Sequence, residues 1–461
     1  MDLITNIVVT INKDLSDYIL IFLLVGTGLF YTIKTRFVQV RCFREGMKRV
    51  FGGMFSKKQG AKGGLSSFQA LATAIAAQVG TGNIVGACGA ILLGGPGAIF
   101  WMWVIAFFGM ATIYAEAILA QETRVVGDDG AVLGGPVYYI KRAFPGKFGK
   151  FLAGFFAVAC FLALGFMGTM VQSNSIADAV STATNGVVAP WIIGVALAIV
   201  CAFIFIGGIK RIASVAEKIV PLMAVIYILL GIVILCINFR ELPETVGLIF
   251  KYAFTPQALL GGTFGAAIKA AVSQGAKRGL FSNEAGMGST PHAHAQAEVE
   301  KPHDQGVVAM IGVFIDTFVV LTITALVVIS TLYAGGGPLG TAEGLAATTL
   351  SKANLMQTAV GTALGNRAVG NVIIAVCLSF FAFTTIIGWN FFGKVNFRHL
   401  FGKKSTVVYS VLAIGFIVLG SLASNDLVWE LADMFNNLMV IPNVLALVTL
   451  SGMVVAACRR K

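Results

Sequence analysis

The stretch Gln78-Val79-Gly80-Thr81-Gly82-Asn83 interrupts an otherwise apolar segment, Phe68 to Leu93. A membrane helix has no reason to stop there. Two glycines two apart are poor helix formers, and the Thr and Asn beside them compete for backbone hydrogen bonds. The spacing predicts a helix that unwinds at mid-membrane and restarts near Asn83. Unwound backbone at that depth is costly unless it lines a protein cavity and its amides and carbonyls are satisfied. The restarting half offers free N–H groups and the positive end of its dipole to a carboxylate. The half that ends there leaves carbonyls that suit a cation. One break can thus hold an anion and Na⁺ together, as discontinuous transporter helices do. Taken alone, the stretch fits equally well a Gly-rich packing face between helices.

Working outward, the chain has 461 residues, is 57% hydrophobic and only 12% charged, which marks a polytopic membrane protein rather than a soluble enzyme. The net charge of +12 invites a nucleic-acid partner. The basic residues instead alternate from loop to loop, the membrane pattern, so no nucleic acid is expected and the lipid bilayer is the partner. Seven cysteines are scattered without CxxC or metal spacing and read as small packing residues. Met1–Ser16 has no long apolar core and is not expected to be a cleavable signal; the first apolar helix targets the chain.

Apolar spans of about 20 residues give about 11 crossings, an all-α integral membrane protein. An amphipathic segment, Met1–Asp14, lies at the surface. Ser16–Lys34 crosses first. A basic loop follows, with Arg36, Arg41, Arg44, Lys48, Arg49, Lys57, Lys58 and Lys62, which places that face in the cytoplasm and the N-terminus outside. The broken helix Ser67–Leu93, Ala98–Ala120, Phe151–Asp178, Pro190–Gly208 and Ile219–Phe239 come next, then Leu259–Gly288, Gln305–Leu332, Ala368–Phe392, Ser405–Leu422 and Leu427–Ala457. Arg459-Arg460-Lys461 ends the chain inside. Every strongly basic loop then falls on one face. Tyr333–Asn366 is expected to include a helix lying over the outer mouth. The seventh crossing is punctuated like the second, at Gln274-Gly275 and Gly279. Two interrupted segments in corresponding positions of two halves point to a binding site at a repeat interface. The expected units are 1–34 (surface segment and peripheral helix), 35–66 (basic cytoplasmic loop), 67–239 (first five-helix repeat), 240–258 (outer loop), 259–457 (second, inverted repeat) and 458–461 (cytoplasmic tail).

Three motifs carry a family resemblance. Gly80-Thr81-Gly82-Asn83-Ile84, Gly94-Gly95-Pro96-Gly97-Ala98-Ile99-Phe100-Trp101-Met102-Trp103 with Tyr114-Ala115-Glu116, and Arg278-Gly279-Leu280-Phe281-Ser282-Asn283-Glu284-Ala285-Gly286-Met287-Gly288-Ser289 resemble the alanine or glycine:cation symporter family across essentially the whole chain. The resemblance implies the five-plus-five inverted-repeat fold of the neurotransmitter:sodium symporters, with two discontinuous helices and one peripheral N-terminal helix. It implies Na⁺-driven, sometimes H⁺-driven, uptake of alanine or glycine, no cofactor beyond the coupling ion, and a prokaryotic inner membrane. In that fold the break reads Val-Gly-Leu-Gly-Asn, and Val79-Gly80-Thr81-Gly82-Asn83 matches it with Thr for Leu. By that match the amides of Thr81 and Gly82 hold the substrate carboxylate, and the carbonyls of Ala76 and Val79 face Na⁺ with the hydroxyls of Thr384 and Thr385. Hard oxygen ligands suit a hard cation. Asn83 matches a side chain that bridges the substrate and a second Na⁺.

Further candidates are weighed against plainer roles. Gln172 either bonds the substrate or meets water at a rim. Ser273 and Gln274 sit where the seventh helix is expected to unwind, and either line the site or bond a neighbouring helix. Intramembrane ionisable groups are functional by default. Glu116, Glu284, Lys277 and Arg278 are read as a cytoplasmic gate of ion pairs, or equally as structural pairing of helix ends. Asp316 is read as a packing group satisfied by Ser and Thr rather than a proton-coupling carboxylate, and Lys269 as snorkelling or facing a vestibule. His292 and His294 are read as loop histidines, because metal ligation at that spacing lacks a Cys or Glu partner. The pocket is expected to be small, walled by residues such as Phe281 or Trp389. The alternatives to Na⁺ symport are H⁺ symport and, further off, a channel lined by carbonyls. Gly286-Met287-Gly288-Ser289 is not the nucleophile turn of hydrolases, so no enzyme is expected.

Overall fold

The structure is a computed structural model that describes residues 2–54, 64–127, 130–256, 259, 263–423 and 425–460. Lys57, Lys58 and Lys62, and the expected boundary at Ala258, lie outside them. Helix dominates. In chain order the helices are α1 (Asp2–Asp14), α2 (Ile21–Lys34), α3 (Phe43–Met54), α4 (Ser67–Gln78), α5 (Gly82–Gly94), α6 (Gly97–Thr123), α7 (Pro136–Ala143), α8 (Lys147–Ala183), α9 (Pro190–Ile206) and α10 (Gly208–Ile237). They continue with α11 (Leu242–Phe254), α12 (Phe264–Asn283), α13 (Pro291–His294), α14 (Pro302–Leu332), α15 (Ala342–Ala347), α16 (Leu355–Ala363), α17 (Arg367–Phe401), α18 (Thr406–Leu422), α19 (Asn425–Thr449) and α20 (Ser451–Arg459).

Among the described residues seven helices are long and apolar enough to cross a membrane, and the bent pair α4 and α5 makes eight. α2 and α9 are shorter apolar helices. α12 is set apart by its three cations, Lys269, Lys277 and Arg278. Together these are the eleven apolar segments of the sequence reading. Between the crossings Ala98–Ala120 and Phe151–Asp178 the sequence suggested only a loop, Gln121–Lys150; a small hairpin of β1 (Val125–Val126) and β2 (Val132–Leu133) precedes α7 there. α15 and α16 occupy the stretch expected to cover one mouth.

The packing follows the repeat. α6 lies along α14, α8 along α17 and α9 along α18, so helices in corresponding positions of the two halves meet their counterparts. α4 begins in a capping box, in which Gln69 N donates to Ser66 Oγ and Ser66 N to Gln69 Oε1, both at 3.1 Å. It ends at Gln78, and the axis turns by 47° before α5 continues. The helix breaks as the glycines require. Gly80 Cα approaches so closely that a Cβ there would lie 2.3 Å from Thr385 Oγ1.

The second break lies elsewhere than expected. α12 runs without interruption through Ser273, Gln274, Gly275 and Gly279 and unwinds only after Asn283. Glu284, Gly286 and Gly288 then take left-handed φ values of 58°, 90° and 82°, which glycine adopts freely and other residues rarely. Gly275 inside the helix serves packing instead, since a Cβ there would meet Trp101 Cβ at 2.6 Å.

Candidate functional site

The two breaks face each other at the centre of the molecule. A Cβ on Gly82 would lie 3.0 Å from Ser282 Cα. Gln78 Nε2 donates to the Asn283 carbonyl at 2.7 Å, tying the end of α4 to the end of α12. Gly80 N donates to Asn83 Oδ1 at 2.9 Å, so the restarting turn caps itself with its own side chain. Wide π-type turns occur at this depth in three helices, over Gly82–Gly86, Phe161–Gly168 and Phe314–Leu321. Such turns loosen backbone bonding and recur at functional sites.

Oxygen atoms converge on one side of the first break. Thr385 Oγ1 lies 3.0 Å from the Ala76 carbonyl, 3.5 Å from that of Val79 and 3.1 Å from that of Phe381. Thr384 Oγ1 lies 2.9 Å from the same Phe381 carbonyl. All these side chains are buried. The three carbonyls around the Thr385 hydroxyl are a hard, neutral oxygen set of the kind a weakly polarising cation takes, whereas Thr384 Oγ1 bonds back to its own turn and lies 3.5 Å from Met223 Sδ. The Phe381 carbonyl was not among the sequence candidates. A backbone oxygen carries no sequence signal, although its place one turn before two adjacent Thr was the cue available.

On the other side, the Thr81 amide donates to Gln172 Oε1 at 3.2 Å. Gln172 Nε2, Thr81 Oγ1 and Gln78 Oε1 are buried without a hydrogen-bond partner. Orphaned polar atoms at this depth are expensive and mark a place built for a polar guest. Asn83 Nδ2 donates to Asp316 Oδ1 at 2.6 Å, and Ser282 Oγ to Asp316 Oδ2 at 3.0 Å. Thr317 Oγ1 donates to the same carboxylate at 2.8 Å. Asp316 is satisfied by Ser and Thr, as the packing role requires, yet it stands at the junction of both breaks. Phe281 carries the apolar wall, 5.7 Å from the ring of Trp389 and 4.8 Å from that of Trp429.

Ser273 and Gln274 do not join this centre. Gln274 packs beside Gly94, at the far end of α5, about 12 Å along α12 from Ser282 at 1.5 Å per residue. The helix stays intact there because its glycine is spent on contact with α6, so the polar pair lines no break.

The four gate residues also separate. Lys277 Nζ and Arg278 Nη2 each reach Asp433 Oδ2 at 3.0 Å, between the break and the face opposite the basic loops. Arg278 and Lys352 stand on the two sides of this cluster, each 4.9 Å from the Trp429 ring. Glu284 instead accepts from Ser289 Oγ and Trp389 Nε1. Glu116 accepts from Gly286 N at 3.1 Å and Asn443 Nδ2 at 2.6 Å. The expected gate of cations with Glu116 and Glu284 is therefore corrected to two layers, an ion-pair layer at Asp433 and a carboxylate layer under the second break. The reason is the late unwinding of α12, which leaves Lys277 and Arg278 on its outer, helical side. His292 and His294 are buried rather than in an open loop; His292 lies 2.8 Å from Asn396 Nδ2 and His294 2.9 Å from Gln305 Nε2.

Comparison with known proteins gives consistent relatives. A solved structure of MhsT in complex with L-phenylalanine is similar in fold, with a TM-score of 0.58 at 14% identity, covering 88% of this chain and 99% of that one. The sodium/alanine symporter AgcS of Methanococcus maripaludis is 44% identical over 459 residues, 98% of this chain and 96% of its own. The amino-acid carrier protein AlsT of Bacillus subtilis is 38% identical over 453 residues, 98% and 91% of the two chains. The family model described as the sodium:alanine symporter family matches residues 1–460. The full-length match to the family model and to these relatives places the chain in the sodium:alanine symporter family.

Proposed function

We propose that this chain imports a small neutral amino acid, alanine and/or glycine, together with Na⁺, by alternating access. The observation that carries the reading is the position of Thr385 Oγ1, 3.0 Å from the Ala76 carbonyl that the break sets free. Na⁺ taken there by the carbonyls of Ala76, Val79 and Phe381 and the hydroxyls of Thr384 and Thr385 would fix α4 against α17. A substrate carboxylate would take the Thr81 and Gly82 amides in place of Gln172 Oε1, and Gln172 Nε2 and Thr81 Oγ1 are there to donate to it. The ammonium would face the carbonyl end of α12. Release then follows when the two repeats rock about the filled site.

The relative AgcS is named for alanine and sodium; glycine is added here on the family resemblance of the motifs. The basic face is taken as cytoplasmic, with the N-terminus outside and the C-terminus inside, on the distribution of Lys and Arg. The test is Na⁺-dependent uptake of radiolabelled alanine and glycine into proteoliposomes, with Asn83→Ala and Thr385→Ala alongside. Uptake indifferent to Na⁺ and pH removes symport, and normal uptake by both variants removes this site. A second reading, H⁺ symport, is favoured by one observation: Asp316 is a fully buried carboxylate in contact with Asn83. Uptake driven by a pH gradient in Na⁺-free medium, and abolished in Asp316→Asn, would establish it.

A further inference from the structure

At the basic face, away from both breaks, a second group of ligating side chains comes together. Cys42, Glu45 and His303 each place one ligand atom so that all three lie within 4.8 Å of one another. Cys42 and Glu45 come from the start of α3 and its preceding turn; His303 is in the first turn of α14. Cys42 and His303 are buried, Glu45 half-buried, and Cys42 is in no disulfide.

The spacing of this group also fits a shared ion. His303 Nε2 stands 3.4 Å from Glu45 Oε1 and 3.5 Å from Oε2. Charge-assisted hydrogen bonds close to about 2.7–2.9 Å. A separation near 3.4 Å is the edge of a tetrahedron whose arms are about 2.0–2.1 Å, the length of zinc–nitrogen and zinc–oxygen bonds. The other ring nitrogen, Nδ1, is already engaged, 2.7 Å from the Tyr114 hydroxyl on α6. A ligating histidine is characteristically held in this way, one nitrogen fixed by an outer partner and the other turned to the metal. The charge also balances. One thiolate and one carboxylate with a neutral imidazole neutralise a divalent ion, whereas Arg49, beside Glu45 at 3.3 Å, is shared with Asp304 at 2.8 Å.

We propose that Cys42, Glu45 and His303 form a binding site for a divalent transition metal of zinc type, separate from the transport site. Sulfur and imidazole select such an ion over Na⁺, Mg²⁺ or Ca²⁺. Binding releases the Cys42 thiol proton to solvent, and three protein ligands leave one position for water. The ion staples α3 to α14. The two helices are already close there, since a Cβ on Gly46 would lie 2.7 Å from Ile311 Cγ1.

The test reads metal rather than uptake, so its failure is distinct from failure of the transport reading. The purified full chain in detergent is stripped with chelator and titrated with Zn²⁺, and separately with Co²⁺. The expected result is about one equivalent bound per chain, with a thiolate-to-cobalt charge-transfer band in the near ultraviolet. Cys42→Ser abolishes the band, and His303→Gln weakens Zn²⁺ binding at least tenfold. Cys236→Ser, at an exposed position elsewhere, changes neither. Glu45→Gln, at a half-buried surface position, carries the test if a buried substitution fails to fold; it is expected to weaken binding about tenfold. Absence of binding in the wild type, or unchanged affinity in the variants that fold, overturns the site.

Discussion

Thr385 joins α4 to α17 through one hydroxyl, since it meets carbonyls of α4, of the unwound turn and of its own helix. With Na⁺ bound there as proposed, removing the hydroxyl deletes one ligand from a charged guest, an interaction worth about 1.5–3 kcal/mol. Thr385→Ala is therefore expected to raise the half-saturating Na⁺ concentration for uptake roughly ten- to hundredfold, and Thr385→Ser to retain most of the coupling, as read from Na⁺ titrations in proteoliposomes. Gly80 tests the same point from the opposite side. Gly80→Ala would press its methyl to 2.3 Å from Thr385 Oγ1, so transport is expected to fail while the protein still folds. Gly97→Ala gives the contrasting result. Its methyl would sit 2.1 Å from the Tyr252 backbone, which cannot rotate away. Overpacking of that kind costs about 1–3 kcal/mol or more, and a lower melting temperature in detergent is the expected reading.

Among the elements, α12 contributes to both polar layers beside the centre. Its helical part brings Lys277 and Arg278 to Asp433 of α19, and its unwound end brings Glu284 to Trp389 of α17. Asp433 is buried and faces both cations. Asp433→Asn leaves Arg278 without its carboxylate and Lys277 with only Glu430, 3.7 Å away, and breaking a buried pair costs about 3–5 kcal/mol. The expected outcome is a marked loss of thermal stability together with slower uptake. Arg278→Ala leaves Lys277 on Asp433 and is expected to be milder; the order of the two melting temperatures checks the assignment.

For the whole molecule, three helices of the expected first repeat pack on their counterparts in the second around one centre. A carrier built this way moves ion and substrate in a fixed ratio, because the site closes only when both are present. Simultaneous flux measurements are expected to give a constant Na⁺:alanine ratio with saturation in both. A flux that grows linearly with concentration, or an ion current without substrate, would indicate a channel instead.

The first break was legible in the sequence because its cause is local. Two glycines with Thr81 and Asn83 between and after them cannot keep an apolar helix intact, whatever surrounds them. The adjacent hydroxyls of Thr384 and Thr385 were found only through the family resemblance, since Thr in a helix ordinarily bonds back to its own turn. The second break was misplaced because glycine has two uses. Gly275 brings α12 against α6, whereas Gly286 and Gly288 supply left-handed turns, and composition does not tell close packing from positive φ. The length of the apolar runs thus determined that the chain crosses the membrane many times, and local backbone preference that it gives way near Gly80. Which carbonyls meet Thr385, which acid faces Arg278 and what Asp316 meets were decided by contacts between residues far apart in the chain, fixed only when the helices pack.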